Sequence, residues 1–430
     1  MPTADERRAL VPSSAVPLAY FALAHAGLAC ALLALAVDPG LPGRFFYHPR
    51  TIALVHLVTL AWITGSILGA FYVVAPLALR MPLPVGRADW AAFVLFALGT
   101  AGMISHFWLG TYSGMVWSAL LVTAAIGWVA LRALSGLRRA IVPWPVKLHV
   151  ALAFLNIAGA AALGILSSVD RSGRLLNVSP LGVTFAHAHL AAVGWATMMV
   201  VGLSYRLIPM ILPAVMPAGR RLALSAVLLE GGLAILVVAL MRESGWLLAG
   251  SGLITLGLAS FVLQVRRTLG RRLPRPPALP LRDWSTWQAF GALLWMLFAA
   301  GLGLTLSIGV APESRVPLMW AYGVAGLVGF LAQVVVGMQG RLAPLYFWYR
   351  AFGAGGGVPP TRAAHELPSA SFARVIFLAW SAGVPLLMLG LASNSRPATT
   401  LGALLLLCGV TVGGAYLAHM ERRAVPRRVP

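Results

Sequence analysis

Twelve long apolar runs constrain this chain more than any other feature of it. They cover about 14–37, 51–79, 89–110, 114–134, 147–168, 183–213, 221–241, 245–265, 286–308, 316–345, 374–393 and 398–419. Crossing an apolar bilayer core of roughly 30 Å takes about 20 mostly apolar residues in a helix. The runs show no period of two, which removes a β-barrel. Only 10% of the 430 residues are charged and 60% are hydrophobic, whereas a soluble domain carries about a quarter charged residues. The expectation is an all-α integral membrane protein of about twelve transmembrane helices.

The net charge of +21 points to topology and lipid rather than to nucleic acid. With the N-terminus inside, the opposite face holds Arg44, Arg50, Arg171, Arg174, Arg242, Arg315 and Arg396, leaving 25 of the 32 Lys and Arg on the cytoplasmic face. That asymmetry follows the positive-inside rule and places both termini in the cytoplasm of a bacterial-type inner membrane. The basic loops suit anionic lipid headgroups. Cys30 and Cys408 lie inside apolar runs without partners at metal-ligand spacing. The N-terminus has no cleavable-signal pattern, so the first run reads as a retained helix.

Three segments repeat at an offset of about 133–135 residues. HLVTLAWITGSILGAFYVVAP (His56 to Pro76) and HLAAVGWATMMVVGLSYRLIP (His189 to Pro209) share His, Trp, Thr, Gly, Tyr and Pro in register. VVGMQGRLAP (Val335 to Pro344) matches VVGLSYRLIP (Val200 to Pro209), with Val324 at the histidine position. Three four-helix units, approximately 14–134, 147–265 and 286–419, imply a pseudo-threefold bundle within one membrane domain, with helices 2, 6 and 10 as equivalent inner elements.

Ionisable side chains inside membrane helices are costly, and their positions carry information. His56, His187, His189 and His106 fall within the outer third of the bilayer, near the periplasmic side. His187 and His189 stand about 200° apart around one helix and cannot face the same partner. Imidazole is a good axial ligand for haem iron. Arg44, Arg50, Arg171 and Arg174 sit in loops just above, placed to pair with propionates, and Trp62, Trp195, Trp108 and Tyr112 offer flat apolar walls. The alternative treats each histidine as a buried polar residue bonded to a carbonyl. Glu230, near the middle of helix 7, is a candidate proton relay or an interhelical hydrogen-bonding group.

FAHAHLAAVGWATMMVVGLSYRLIP (Phe185 to Pro209) resembles the haem-ligand helix of haem-copper oxidase subunit I, particularly of the C-family oxidases. In that family a His-x-His pair ligates a high-spin haem with its first histidine and a low-spin haem with its second. The NnrS-type haem and copper membrane proteins are a related comparison. The resemblance implies twelve helices in a pseudo-threefold arrangement and haem near the periplasmic side. It departs at three points. The motif is on the sixth helix instead of the tenth, no adjacent His-His pair occurs anywhere, and no tyrosine matches the cross-linked one.

The expectation is therefore a haem b protein, with one haem or two and without copper, that is not a proton-pumping oxidase. Read in linear order, His56 pairs with His189; read by rotating the threefold, His56 faces the haem held by His187. The first pairing is preferred, with His187 left for a second haem, a metal or nothing. Electron transfer is the leading function. Binding of nitric oxide or oxygen follows if His187 holds five-coordinate iron. The chain has no Cys-x-x-Cys-His motif, so a separate redox partner such as a cytochrome c or a quinone-linked subunit of a larger complex is expected. A proton-coupled transporter without a cofactor is the alternative.

Overall fold

A computed structural model describes the chain except residues 1–9, 13, 43–44, 174–178, 275–282, 353–361 and 425–430, and the side chains of 171–173. Twelve helices are long and apolar enough to cross a membrane. They are α1 (Val16–Val37), α2 (Pro49–Leu77), α3 (Arg87–Leu109), α4 (Met115–Leu137), α5 (Trp144–Asp170), α6 (Pro180–Ile211), α7 (Arg220–Arg242), α8 (Leu247–Leu269), α9 (Trp284–Ile308), α10 (Pro312–Phe352), α11 (Ala370–Ala392) and α12 (Arg396–Ala424). Among the described residues there is no strand, only an isolated bridge between Ala214 and Arg272. The protein is an all-α, multi-pass membrane protein, as the apolar runs predict.

Burial divides the helices into two classes. The apolar windows of α2, α6 and α10 are 72%, 56% and 61% buried, against at most 44% for any other. These three are the inner helices. The other nine surround them, with α4 packed on α5, α8 on α9, and α12 back on α1 to close the ring.

The repeat is visible in how the inner helices bend. Each changes from α to π winding at one register position: Leu57–Thr64 in α2, Leu190–Thr197 in α6 and Val324–Ala332 in α10. A π turn leaves the i→i+4 ladder out of phase, freeing carbonyls for other donors. At this level the indole N–H groups of one inner helix reach the π segment of the next. Trp195 Nε1 donates to Thr64 Oγ1 at 3.2 Å, and Trp62 Nε1 donates to the Ala332 carbonyl at 3.3 Å. Thr64, Thr197 and Ala332 occupy one register position, and Trp62, Trp195 and Phe330 another. All three rings are buried.

Close approach is secured by glycine. A Cβ at Gly69 would lie 2.8 Å from Tyr20 Cβ, and one at Gly337 would lie 2.8 Å from the Ala289 nitrogen. One at Gly202 would overlap the His149 Cβ. These glycines are in register, so each inner helix seats against the first helix of its own unit in the same way.

At the arginine-rich end, the last carbonyls of the inner helices need donors. Arg206 Nε reaches the Ala78 carbonyl at 3.2 Å, and Arg341 Nη2 reaches that of Ile211 at 3.2 Å. Both arginines also suit the negative end of a helix dipole. Asp89, fully buried, accepts from Tyr72 Oη at 2.9 Å, Trp128 Nε1 at 3.2 Å and Arg132 Nη1 at 2.6 Å. That cluster pins α2, α3 and α4 together.

Gly202→Val is expected to lower stability by about 1–3 kcal/mol, the usual cost of overpacking. Gly231→Ala, with open space around it, is expected to be neutral. Unfolding of both variants in detergent micelles checks the difference.

Candidate functional site

The histidines near the amino ends of the inner helices occupy the last α turns before the π segments. His56 ends the α part of α2, and His187 and His189 end that of α6. His56 Nδ1 lies 2.8 Å from the Ile52 carbonyl, one turn back in its own helix. His187 Nδ1 lies 2.8 Å from the Ala160 carbonyl of α5. A carbonyl only accepts, so each Nδ1 is the donor and Nε2 is the basic nitrogen. The His56 and His187 rings face each other with centroids 6.4 Å apart and planes 26° from parallel. Phe107 of α3 stacks on His56 at 5.0 Å. Gly164 of α5 makes room for the His187 ring, whose Cε1 would lie 3.1 Å from a Cβ there.

His189 points to a different partner. Its Nδ1 is 2.7 Å from the Phe185 carbonyl, and its Nε2 is 3.1 Å from Tyr322 Oη of α10, so the tyrosine donates. The two rings are 6.1 Å apart and 22° from parallel. His56 thus faces His187 and not His189, the reverse of the preferred pairing and in line with the rotated one. The physical reason is the helical phase. Separated by about 200°, His187 turns toward α2 and α5 while His189 turns toward α10.

The threefold register explains the arrangement. Leu54, His187 and Tyr322 share one position of the repeat, and His56, His189 and Val324 share another. Between α2 and α6 the facing pair is His56 with His187, and between α6 and α10 it is His189 with Tyr322. The third pair of positions holds Val324 and Leu54, both apolar.

His106 does not join the pair. It lies at the end of α3 beside Gly110, with Nδ1 2.8 Å from the Thr111 carbonyl, and its neighbour Phe107 makes the contact to His56. Arg50 lies over the Trp108 ring at 5.8 Å, at the histidine end of the bundle. Arg174 lies outside the described residues. Trp62 and Trp195 belong to the aromatic ring on the axis, while Tyr112 meets Phe107 edge-on at 6.1 Å. Glu230 accepts from Asn156 Nδ2 at 2.8 Å, tying α7 to α5. His149, fully buried, uses both nitrogens, on the Pro145 carbonyl and on Ser225 Oγ. Among the described residues no group of three or more His, Cys, Asp or Glu converges as a metal site.

Sequence reasoning missed Phe107, Tyr322 and Gly164. Tyr322 carried a usable signal, since it stands 135 residues after His187 in the same register used to align Val324 with His189. Phe107 and Gly164 carried none, because their roles depend on how α3 and α5 rotate.

The sequence matches no family model and no curated protein. Among solved structures it is similar to a chain of a heme-copper terminal oxidase dimer determined by cryo-electron microscopy. The identity is 14% and the TM-score 0.63, over 100% of this chain and 86% of that one.

Tyr322→Phe is expected to cost about 1 kcal/mol, the usual net worth of one hydrogen bond. The cost should disappear in a His189→Leu background. A double-mutant cycle on unfolding in micelles measures the coupling. The fold of this chain is that of a heme-copper oxidase.

Proposed function

We propose that the protein is a membrane redox protein that binds one b-type haem between His56 and His187. The observation that carries this reading is the facing pair itself. Two imidazoles on opposite sides of one iron, each at a metal–nitrogen distance of about 2 Å, keep their ring centres roughly 6 Å apart. The 6.4 Å separation fits that, and it is too wide for face-to-face ring contact. Each Nδ1 is already held by a carbonyl, which fixes the tautomer and orients the ring as second-shell bonds do around metal ligands. Phe107 supplies an apolar wall beside His56. Bound there, the haem would supply one-electron exchange.

The other residues have defined parts in this reading. Two neutral imidazoles bring no charge into a low-dielectric site. Gly164 keeps α5 from crowding His187, and the Ala160 carbonyl stops its ring from turning. Arg50, stacked on Trp108, stands at the rim where a propionate would emerge. His189 is closed by Tyr322, since a 3.1 Å hydrogen bond leaves no width for a metal between them. One haem per chain follows, and no open position for nitric oxide or oxygen. Electrons would come from a separate carrier, such as a cytochrome c or a quinone-linked subunit. The similarity to a heme-copper terminal oxidase supports a redox role, and the positive-inside count supports a periplasmic location for the histidine end.

A reduced-minus-oxidised visible spectrum of the purified protein, with haem quantified per chain, tests the reading. A sharp b-type α band is expected with about one haem per chain. His56→Ala and His187→Ala are expected to lose it, and His189→Ala to keep it. Carbon monoxide should leave the wild-type spectrum unchanged and shift that of any His56→Ala protein retaining haem. A colourless, folded protein would sink the proposal and bring a cofactor-free transporter forward.

A further inference from the structure

Below the ring of Trp62, Trp195 and Phe330 the three inner helices stop closing the axis. Their π segments touch in all three pairs, whereas nearer the arginine-rich end close backbone packing persists only between α2 and α10. A cavity of about 90 Å³ lies between the three helices there. Its walls follow the repeat. Ser66, Met199 and Val334 share one register position at the end nearer the aromatic ring, and Val74, Leu207 and Leu342 share another at the end nearer the basic loops. All six are buried, while Ala70, Leu203 and Met338 between them are partly exposed. At the centre of a bundle that exposed surface is the cavity's own. Buried side chains thus close the cavity at both ends.

Ala70 leaves the room. Parallel helices with aliphatic residues in successive layers ordinarily pack their axis shut, and Leu203 and Met338 show that larger side chains fit at the equivalent positions. An empty space forfeits the contacts of every side chain around it. An apolar cavity of about 150 Å³ stays dry and takes up benzene, so one of about 90 Å³ suits a smaller apolar molecule. One polar group marks the site. Ser105, Ser168 and Ser307 each donate to the carbonyl four residues back, a common way for a helix to satisfy a hydroxyl. Ser66, just after the π segment of α2, is 1% exposed and its Oγ has no protein partner. Water does not suit it, because a buried water needs two to four polar partners and Met199 and Val334 complete its layer. Ser204 and Gln339 stand five register positions further along, about 7.5 Å away, and Gln339 also borders the small cavity beside Gln288. Among the described residues no charged side chain lines the axial cavity.

We propose that the axial cavity is a binding site for a small, neutral, aliphatic molecule that carries one oxygen, an alcohol or a ketone. Its oxygen meets Ser66 Oγ, and its chain runs past Ala70 toward Val74. Mostly apolar walls with a single well-placed polar group are the usual make-up of a small-molecule pocket. The hydroxyl gains the partner it lacks, which favours an oxygenated molecule over a plain hydrocarbon of the same size. The site lies on the far side of the aromatic ring from the histidine pair and does not rest on the haem reading.

Photolabelling of the full chain in lipid nanodiscs with a diazirine-bearing hexanol tests this, with adducts located by mass spectrometry. Adducts on Met199 and Met338 are expected, and an excess of unlabelled hexanol should reduce them several-fold. Hexane, which lacks the oxygen, should compete several-fold less well. Adducts on Leu256, exposed on α8, should not respond to either. Ala70→Leu is expected to remove the Met338 adduct by filling the cavity. Ser66→Ala, which takes a single atom from the wall, should lower competition by hexanol to that of hexane, and it decides the matter if Ala70→Leu does not fold. Met338 adducts that are absent, or that no excess of hexanol reduces, would overturn the proposal. So would full labelling of Met338 in a folded Ala70→Leu protein, or competition by hexanol that Ser66→Ala leaves unchanged.

Discussion

Three inner helices can meet on one axis only if their backbones approach closely and every displaced hydrogen bond finds a new partner. Lipid offers no donors or acceptors, so a widened turn must be compensated within the protein. The bundle meets both demands at fixed register positions. Gly69, Gly202 and Gly337 remove the side chain where an outer helix presses on an inner one. At the level of the π turns, Trp62 and Trp195 reach across to the next inner helix with their indole N–H groups. Phe330, at the third position, has no N–H to give and fills the space with its ring. The axis is therefore closed by aromatic packing at this level.

The symmetry of the backbone is not matched by the chemistry placed on it. The same geometric position between adjacent inner helices is His/His once, His/Tyr once and Leu/Val once. The histidine pair at 6.4 Å holds each Nδ1 on a backbone carbonyl, that of Ile52 for His56 and that of Ala160 for His187. A histidine and a tyrosine at nearly the same ring separation spend their polar atoms on each other, because the phenol reaches further than the imidazole. Two aliphatic residues, Leu54 and Val324, hold the third pair of positions. One scaffold thus carries three different pairs, set by residue identity alone.

Much of this was legible in the sequence, and the part that was not has a specific cause. Length and apolar composition determine the number of spans, and the ends fall within a few residues, except that α10 runs on to Phe352. The repeat of His, Trp, Thr, Gly, Tyr and Pro identified the inner helices, because contacts around an axis need the same residue at the same place. The pairing of the histidines was not legible. It depends on helix rotation, and a difference of two residues is 200° of phase, which the sequence carries only if the register of all three inner helices is used together. Tyr322 would have shown that His189 has a partner in α10, leaving His187 for His56. One residue of phase likewise separates His106 from Phe107, which makes the contact to His56.

The two polar systems of the bundle sit at opposite ends and are separated by its most apolar layer. His56 and His187 lie near the face with few basic residues, where Arg50 stands over Trp108. The buried amide of Gln288 lies one turn into α9, toward the basic face. Between them, Trp62, Trp195 and Phe330 are almost completely buried. A charge held at the histidine pair would be screened little by such a layer, because the effective dielectric there is low.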